Sequence, residues 1–410
     1  MAKTLSLFEA FGIELEYMIV AADSLDVCPI TDRVLHAVAG AYEAEVELGD
    51  ISWSNELALH VIELKTTDPI GSLDGLADRF QANVFRINDL LLPHNARLMP
   101  TATHPWMNPH TELKLWPHDY NAVYEAFNRV FDCTGHGWAN LQSVHINLPF
   151  ANDEEFGRLH AAIRVLLPLL PALAASSPIL ERRASGFCDT RLEVYRTNAK
   201  RVPSVSGMVI PEAVFTREAY QHEIFAKMYA DIAPLDPDGT LQHEWLNSRG
   251  AIARFDRNAI EIRVLDIQEC PVADLAICRL IVDTLQRLVA EEWSSTESQQ
   301  ALLTEQLASI LQSVIRDADE ALIEDPQYLQ AFGMSTPVTA SEFWRHLAAP
   351  LIESTNEHQH ALRLVLDQGP LARRILKHIA RGPSEARLRD TYRELSDCLA
   401  TGKMFQPDEA

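Results

Sequence analysis

The chain lacks the signatures that most often announce a nucleotide or metal enzyme. It has no Gly-x-x-x-x-Gly-Lys-Ser/Thr loop and no Gly-x-Gly-x-x-Gly turn, so no glycine-rich cradle for phosphates is encoded. A His-Glu-x-x-His helix and a Gly-x-Ser-x-Gly elbow are also missing, which removes the common zinc-protease and serine-hydrolase arrangements. Cysteines stand alone at 28, 133, 188, 270, 278 and 398. Without a Cys-x-x-Cys pair, a zinc site of that kind is not indicated, and the scatter suggests reduced thiols in a cytoplasmic protein. Long apolar runs are absent too. The most apolar stretch, near Val165 to Ala175, holds Pro168 and Pro171 and is too short to span a bilayer. Glu9, Glu14 and Glu16 interrupt the N-terminal region, so no secretory signal is read there and a soluble protein inside the cell is expected. Positive charge is scarce: 35 Lys and Arg face 58 Asp and Glu, a net charge of −23. A surface of that sign repels phosphate backbones, which argues against nucleic acid as a partner.

The composition that remains is that of a folded protein. In 410 residues, 47% are hydrophobic and 23% charged, enough to build a large core. Length alone suggests about two or three domains. No repeat, low-complexity tract or Gly/Ser linker divides the chain. Residues 1 to about 270 mix strands and helices. Phe11 to Val20, Leu57 to Thr66, Leu141 to Leu148 and Ala259 to Asp266 read as strands. Leu73, Leu76, Phe80, Val84, Ile87 and Leu91 recur at helical spacing, with Pro93 ending the run. From 271 onward the pattern is mostly helical: Leu280 to Leu288, Leu303 to Val314 and Leu388 to Leu395 mark three helices. Strands this far apart favour an α+β fold with a largely antiparallel sheet over a doubly wound parallel one.

The chemistry sits on strands that carry polar residues at i and i+2. In Gly12-Ile13-Glu14-Leu15-Glu16-Tyr17 both glutamates point to one face and the apolar residues to the other. Two adjacent carboxylates repel unless a cation intervenes. The competing interpretation is a solvated outer face. Glu261 and Arg263 repeat the pattern, as either a surface ion pair or an arginine set beside an anion. His145 and Asn147 share a third face, and the histidine is either structural or a ligand. Glu63 lies inside an apolar strand, with Glu56 just before it, and an interior carboxylate needs a partner such as a divalent cation. Together these strands offer up to five carboxylates, one histidine and one arginine. Hard oxygen ligands suit Mg²⁺ or Mn²⁺ better than zinc, and carboxylates with an arginine describe a phosphoryl-transfer site.

These pieces resemble glutamate–cysteine ligase family 2, the carboxylate–amine ligases. The Gly12-x-Glu14-x-Glu16 opening, the Glu56…Glu63 pair, Thr103-His104-Pro105 and His145-x-Asn147 follow the family's order. Ser177-Pro178 with Arg191, and Glu261-Ile262-Arg263-Val264-Leu265-Asp266, complete it. The resemblance implies a fold related to glutamine synthetase and the guanidino kinases, with a curved antiparallel sheet forming a cup. It implies one catalytic domain over residues 1–405, sheet-bearing to 270 and mainly helical from 271, against the length prior. It implies a metal shell of Glu14, Glu16, Glu56, Glu63, His145 and Glu261, with Glu261 and Arg263 catalytic and Arg263 on the transferring phosphoryl group. Arg191, Asn147 and Arg254 would bind substrate or ATP, and Trp138 would line the pocket.

The implied cofactors are ATP and Mg²⁺ or Mn²⁺. The implied reaction phosphorylates a carboxylate, that of glutamate, and lets an amine, cysteine, expel the phosphate, a step of glutathione biosynthesis. Other outcomes are the same ligation with another amine or acid, a phosphotransferase, or a nucleotide-binding relative without turnover. The resemblance also makes a homodimer plausible.

Overall fold

The computed structural model describes residues 4–353 and 357–407. Strand β1, Gly12–Ala21, lies in the middle of the main sheet. Ile13, Leu15 and Tyr17 are fully buried on one side, while Glu14 and Glu16 take the other. Around it lie β2 (Glu45–Glu47), β3 (Ile51–Asn55), β4 (Val61–Thr66), β5 (Ala96–Met99) and β6 (Ser143–Pro149). A small hairpin, β7 (Ile179–Leu180) and β8 (Arg183–Ala184), stands apart. Strands β9 (Ala251–Arg254) and β10 (Ala259–Asp266) return to the main sheet. Its order is β2-β3-β4-β1-β6-β10-β9, with β5 also paired to β1. Every neighbouring pair is antiparallel. The fold is thus mixed α and β with a large antiparallel sheet.

The strand expected over Leu57–Thr66 begins only at Val61. Residues 57–60 form the connection between β3 and β4, with Leu59 N–H bonded to the carbonyl of Lys114. Ala58 makes an isolated antiparallel bridge to Leu115 instead of joining the main sheet, so the hydrophobic run misreads as part of β4. The helix Leu76–Leu91 buries Leu76, Phe80, Val84, Ile87 and Leu91 along one stripe. It stops at Leu91, and Pro93 sits inside a following 3-10 turn. The helix Asp153–Leu166 starts where the Asn152 side chain accepts from Glu155 N–H at 3.0 Å, with acidic residues filling its first turn. Helix Pro271–Val289 packs on both. These three helices and the apolar face of the sheet share one hydrophobic core. Later helices include Thr304–Asp317, Ala340–Glu353, Leu371–Ala380 and Glu385–Thr401. Among the described residues, no helix is long and apolar enough to cross a membrane.

Candidate active site

Antiparallel register turns the separate polar pairs of the sequence into one row. Glu16 stands opposite Glu63, and Glu14 lies between Lys65 on β4 and His145 on β6. Asn147 faces Gly12 on one side and Glu261 on the other. Ser54 on β3 extends the row and hydrogen-bonds Glu63. Two glycines make the crowding possible. A Cβ on Gly12 would sit 3.0 Å from the Asn147 Cβ, and one on Gly250 would sit 2.5 Å from the Val264 side chain. Gly250 also accepts the Arg263 N–H at 3.0 Å. Between Ile262 and Leu265, β10 takes three steps for two on β6. The extra residue is a bulge at Arg263, the kind of irregularity that re-aims a side chain.

The contacts in the row are short. His145 Nδ1 lies 2.7 Å from Glu14 Oε2 and 3.7 Å from Glu261 Oε1, while its Nε2 lies 3.8 Å from Glu16 Oε1. Asn147 donates to Glu14 at 2.9 Å. Ser143 donates to Glu16 from both its N–H and its hydroxyl, at 2.6 and 2.9 Å. Lys65 Nζ reaches Glu63 at 3.3 Å and Glu45 at 2.8 Å. Arg263 pairs with Glu261 at 2.7 Å. Arg254 lies 3.0 Å from Asp256 and 3.6 Å from Glu261.

Crowding perturbs the ionisation of these groups. Burial alone would raise the Glu14 carboxyl, but the hydrogen bond and charge of His145 hold it well below the usual range. Burial would lower His145, but Glu14 first, then Glu16 and Glu261, push it up to about 9. Burial and the charge of Glu14 push Glu63 up to about 7. Glu56 is driven well above the carboxylate range by burial and the charges of Glu16 and Glu63. A site that strains its carboxylates in this way favours a cation. Within the row, two groups of described residues have ligand atoms within 4.8 Å of one another: Glu14, His145 and Glu261; and Glu16, Glu63 and His145. Four carboxylates with one imidazole form a hard donor set that fits Mg²⁺ or Mn²⁺.

Two cavities reach the row. The first, about 210 Å³, is bounded by Glu16, Glu56, His145, Arg191 and Arg263 at its polar end. Tyr124, Phe127, Trp138 and Tyr195 wall the rest. The second, about 410 Å³, is bounded by Glu14, Lys65, Asn147 and Arg257.

The expected residues therefore divide. Glu14, Glu16, Glu63, His145, Asn147, Glu261 and Arg263 come together. Glu56 lies at the start of the β3–β4 connection, in neither three-residue ligand group, and borders the first cavity. Arg191 reaches that cavity but is buried, with Nε 2.6 Å from Asp266 and its terminal nitrogens on the Arg263 carbonyl at 3.3 and 3.4 Å. Arg254 belongs to the row through Glu261 rather than to either cavity. His104 is buried and structural: Nε2 meets the Leu25 carbonyl at 2.8 Å, and Asn140 brackets its backbone. Sequence reading missed Lys65 and Ser143, although each sits two residues from a chosen group on the same strand face. It also missed Tyr124, Phe127, Tyr195 and Asn198, whose place at the site depends on tertiary packing.

Fold and site define a class: a large antiparallel sheet with a row of carboxylates reached by two cavities. Its fold matches that of a glutamate–cysteine ligase from Francisella tularensis solved with AMP, at TM-score 0.57 and 14% identity. That match covers 97% of this chain and 90% of the other. A bifunctional glutathione synthetase from Pasteurella multocida matches at TM-score 0.60 and 12% identity, over 95% of this chain and 53% of that one. In sequence, an uncharacterized protein of Archaeoglobus fulgidus is 31% identical over 383 residues, 93% of this chain and 96% of the relative. The chain belongs to glutamate–cysteine ligase family 2, whose profile matches residues 10–394.

Proposed function

We propose that the chain is an ATP-dependent carboxylate–amine ligase of the glutamate–cysteine ligase type, working in the cytoplasm as one catalytic unit over residues 1–405. The observation that carries this reading is the row of Glu14, Glu16, Glu63 and Glu261 around His145, with Arg263 set beside it by a bulge. In the first step a carboxylate oxygen of the acyl substrate, the γ-carboxylate of glutamate, attacks the terminal phosphorus of ATP and ADP leaves. In the second, the amine nitrogen attacks the acyl carbon, phosphate departs, and the nitrogen loses its proton as the amide forms. No covalent bond to the protein is needed.

The residues divide the labour. Glu14, Glu16, Glu63, His145 and Glu261 would hold Mg²⁺ or Mn²⁺, which neutralises phosphate oxygens when bound. Glu56 joins this shell only through the rim of the first cavity. Arg263 presents its planar fork to the transferring phosphoryl group, with Glu261 fixing the guanidinium. Asn147 orients Glu14 and borders the second cavity. Arg191, anchored on Asp266, gives the first cavity a positive end. Arg254 steadies Glu261. The family's name supports cysteine as the amine, with another amine as the alternative, and the same resemblance supports a homodimer.

The test is ADP release from purified protein with Mg²⁺, ATP and glutamate, with and without an amine. Release that needs both glutamate and an amine, with the γ-glutamyl amide found by mass, is the expected result. Release that ignores amines, with a phosphorylated product accumulating, would make the chain a phosphotransferase instead.

A further inference from the structure

One imidazole stands between the two ligand groups of the row. Its Nδ1 faces the first group, 2.7 Å from Glu14 Oε2 and 3.7 Å from Glu261 Oε1. Its Nε2 faces the second group, 3.8 Å from Glu16 Oε1. A neutral imidazole carries a proton on one nitrogen and a lone pair on the other, so His145 can ligate one ion and not two. The hydrogen bonds around the ring select the nitrogen.

Ser143 makes the selecting bond. It stands two residues before His145 on β6, on the same face of the strand. Its hydroxyl lies 2.9 Å from Glu16 Oε2 and 3.0 Å from His145 Nε2. That hydroxyl has one proton to give. The Glu16 carboxylate accepts, and a charge-assisted bond is the stronger of the two on offer. The Ser143 proton therefore goes to Glu16, and its lone pair faces Nε2. A nitrogen that meets a lone pair keeps its own proton, so Nε2 is an N–H and is closed to a metal. Nδ1 has a different partner. Glu14 is itself in the ligand group, so an ion that binds there takes the place of the Nδ1 proton. The backbone holds the arrangement in register: the Ser143 N–H donates to the same Glu16 oxygen at 2.6 Å. Ser143, His145 and Glu16 are all buried.

We propose that Ser143 is a positioning residue that keeps the His145 proton on Nε2. His145 then ligates, through Nδ1, the ion at Glu14 and Glu261, and the ion at Glu16 and Glu63 receives no imidazole. The proposal rests on the cation reading of the row above. It makes the two positions chemically unequal: one offers a nitrogen, which suits transition-metal ions better than Mg²⁺, and the other offers hard oxygens.

The test is nitrogen NMR of the full-length protein with isotope-labelled histidine, using Cd²⁺ as a diamagnetic ion that accepts imidazole. The His145 signals are those lost in His145→Gln. The expected spectrum of the parent with Cd²⁺ shows a proton on Nε2 and cadmium coupling on Nδ1. Ser143→Ala keeps the N–H to Glu16 and removes only the hydroxyl. It should blur that assignment between the two nitrogens and weaken Cd²⁺ binding about tenfold, as the loss of a group that orients a metal ligand does. Ser143→Thr restores the hydroxyl and should restore both. Cadmium coupled to Nε2, or to neither nitrogen, overturns the proposal, as does a Ser143→Ala protein with the parent's spectrum and affinity. In each case Cd²⁺ binding that Glu14→Gln weakens leaves the cation reading standing. Cd²⁺ binding that ignores Glu14→Gln and moves no His145 signal brings down the cation reading, and the role of Ser143 with it.

Discussion

Strand β10 contributes charges to two regions that treat them in opposite ways. At its start, Glu261 and Arg263 enter the polar row, where Glu14, Glu16, Glu63 and Glu261, with Glu56 beside them, outnumber Lys65, His145, Arg254 and Arg263 by one. At its end, Asp266 enters a closed knot. Its two oxygens accept from Arg191 Nε at 2.6 Å, the Ser177 hydroxyl at 2.7 Å and Ser176 N–H at 2.9 Å. Three residues on, Glu269 pairs with Arg374, both fully buried, and accepts Phe405 N–H at 3.2 Å. In the knot, Asp266 and Glu269 each face an arginine, and these pairs fasten the helix Leu371–Ala380 and the C-terminal segment to the end of β10. In the row, carboxylates remain in excess, and the protein holds them at a cost that a bound cation would remove. Closed charge reads as architecture; open charge reads as a site.

The sharpest way to break this contrast is to neutralise one member of each region. Arg374→Met leaves Glu269 buried without its cation, and denaturant unfolding should show a loss of about 3–5 kcal/mol. If Arg374→Met unfolds at the same denaturant concentration as the parent, the knot is not what fastens the C-terminal segment. Glu261→Gln, in the row, should cost activity far more than stability. It removes the partner of Arg263 but also one carboxylate of a crowded row, so the melting temperature should fall less than in Arg374→Met. Turnover should fall more than about a hundredfold, as when one charge-stabilising group is removed from a reaction centre. Wild-type rates in Glu261→Gln, measured as ADP release, would remove it from the machinery.

Much of the row was legible before any coordinates. The expected strand Ala259–Asp266 coincides with β10, and Phe11–Val20 is offset from β1 by one residue at each end. Period-two alternation is a local property, so Glu14 and Glu16, or His145 and Asn147, could be assigned a common face from sequence alone. Glu56 was harder. The apolar run Leu57–Leu59 masks a chain reversal, so Glu56 reads as the lead-in to a strand rather than as part of the connection. Strands β2 and β3 were missed because Glu45–Glu47 is only three residues and Ile51–Asn55 buries serines as well as apolar side chains. The aromatic wall had no local sign at all. Tyr124 and Phe127 lie on the helix Asn121–Phe131, and only tertiary packing brings them to β4 and β6.

The ionisation of the row gives the most direct handle on its purpose. Glu63 is raised from 4.5 to about 7, so the folded chain binds that proton more tightly than the unfolded chain. This contribution destabilises the cation-free protein progressively as pH rises from 4.5 through 7. His145 is raised from 6.5 to about 9, so its contribution is fully present below 6.5 and is lost as pH rises through 9. A divalent cation on these groups must displace both protons. Calorimetric titration of cation-free protein with Mn²⁺, repeated in buffers of different ionisation enthalpy, reads that displacement. The account predicts binding that tightens from pH 6 to pH 8, with release of close to two protons per ion at pH 6 falling to about one at pH 8. Binding that is absent at both pH values, or that releases no proton at either, would contradict the claim that the carboxylate row exists to hold a cation.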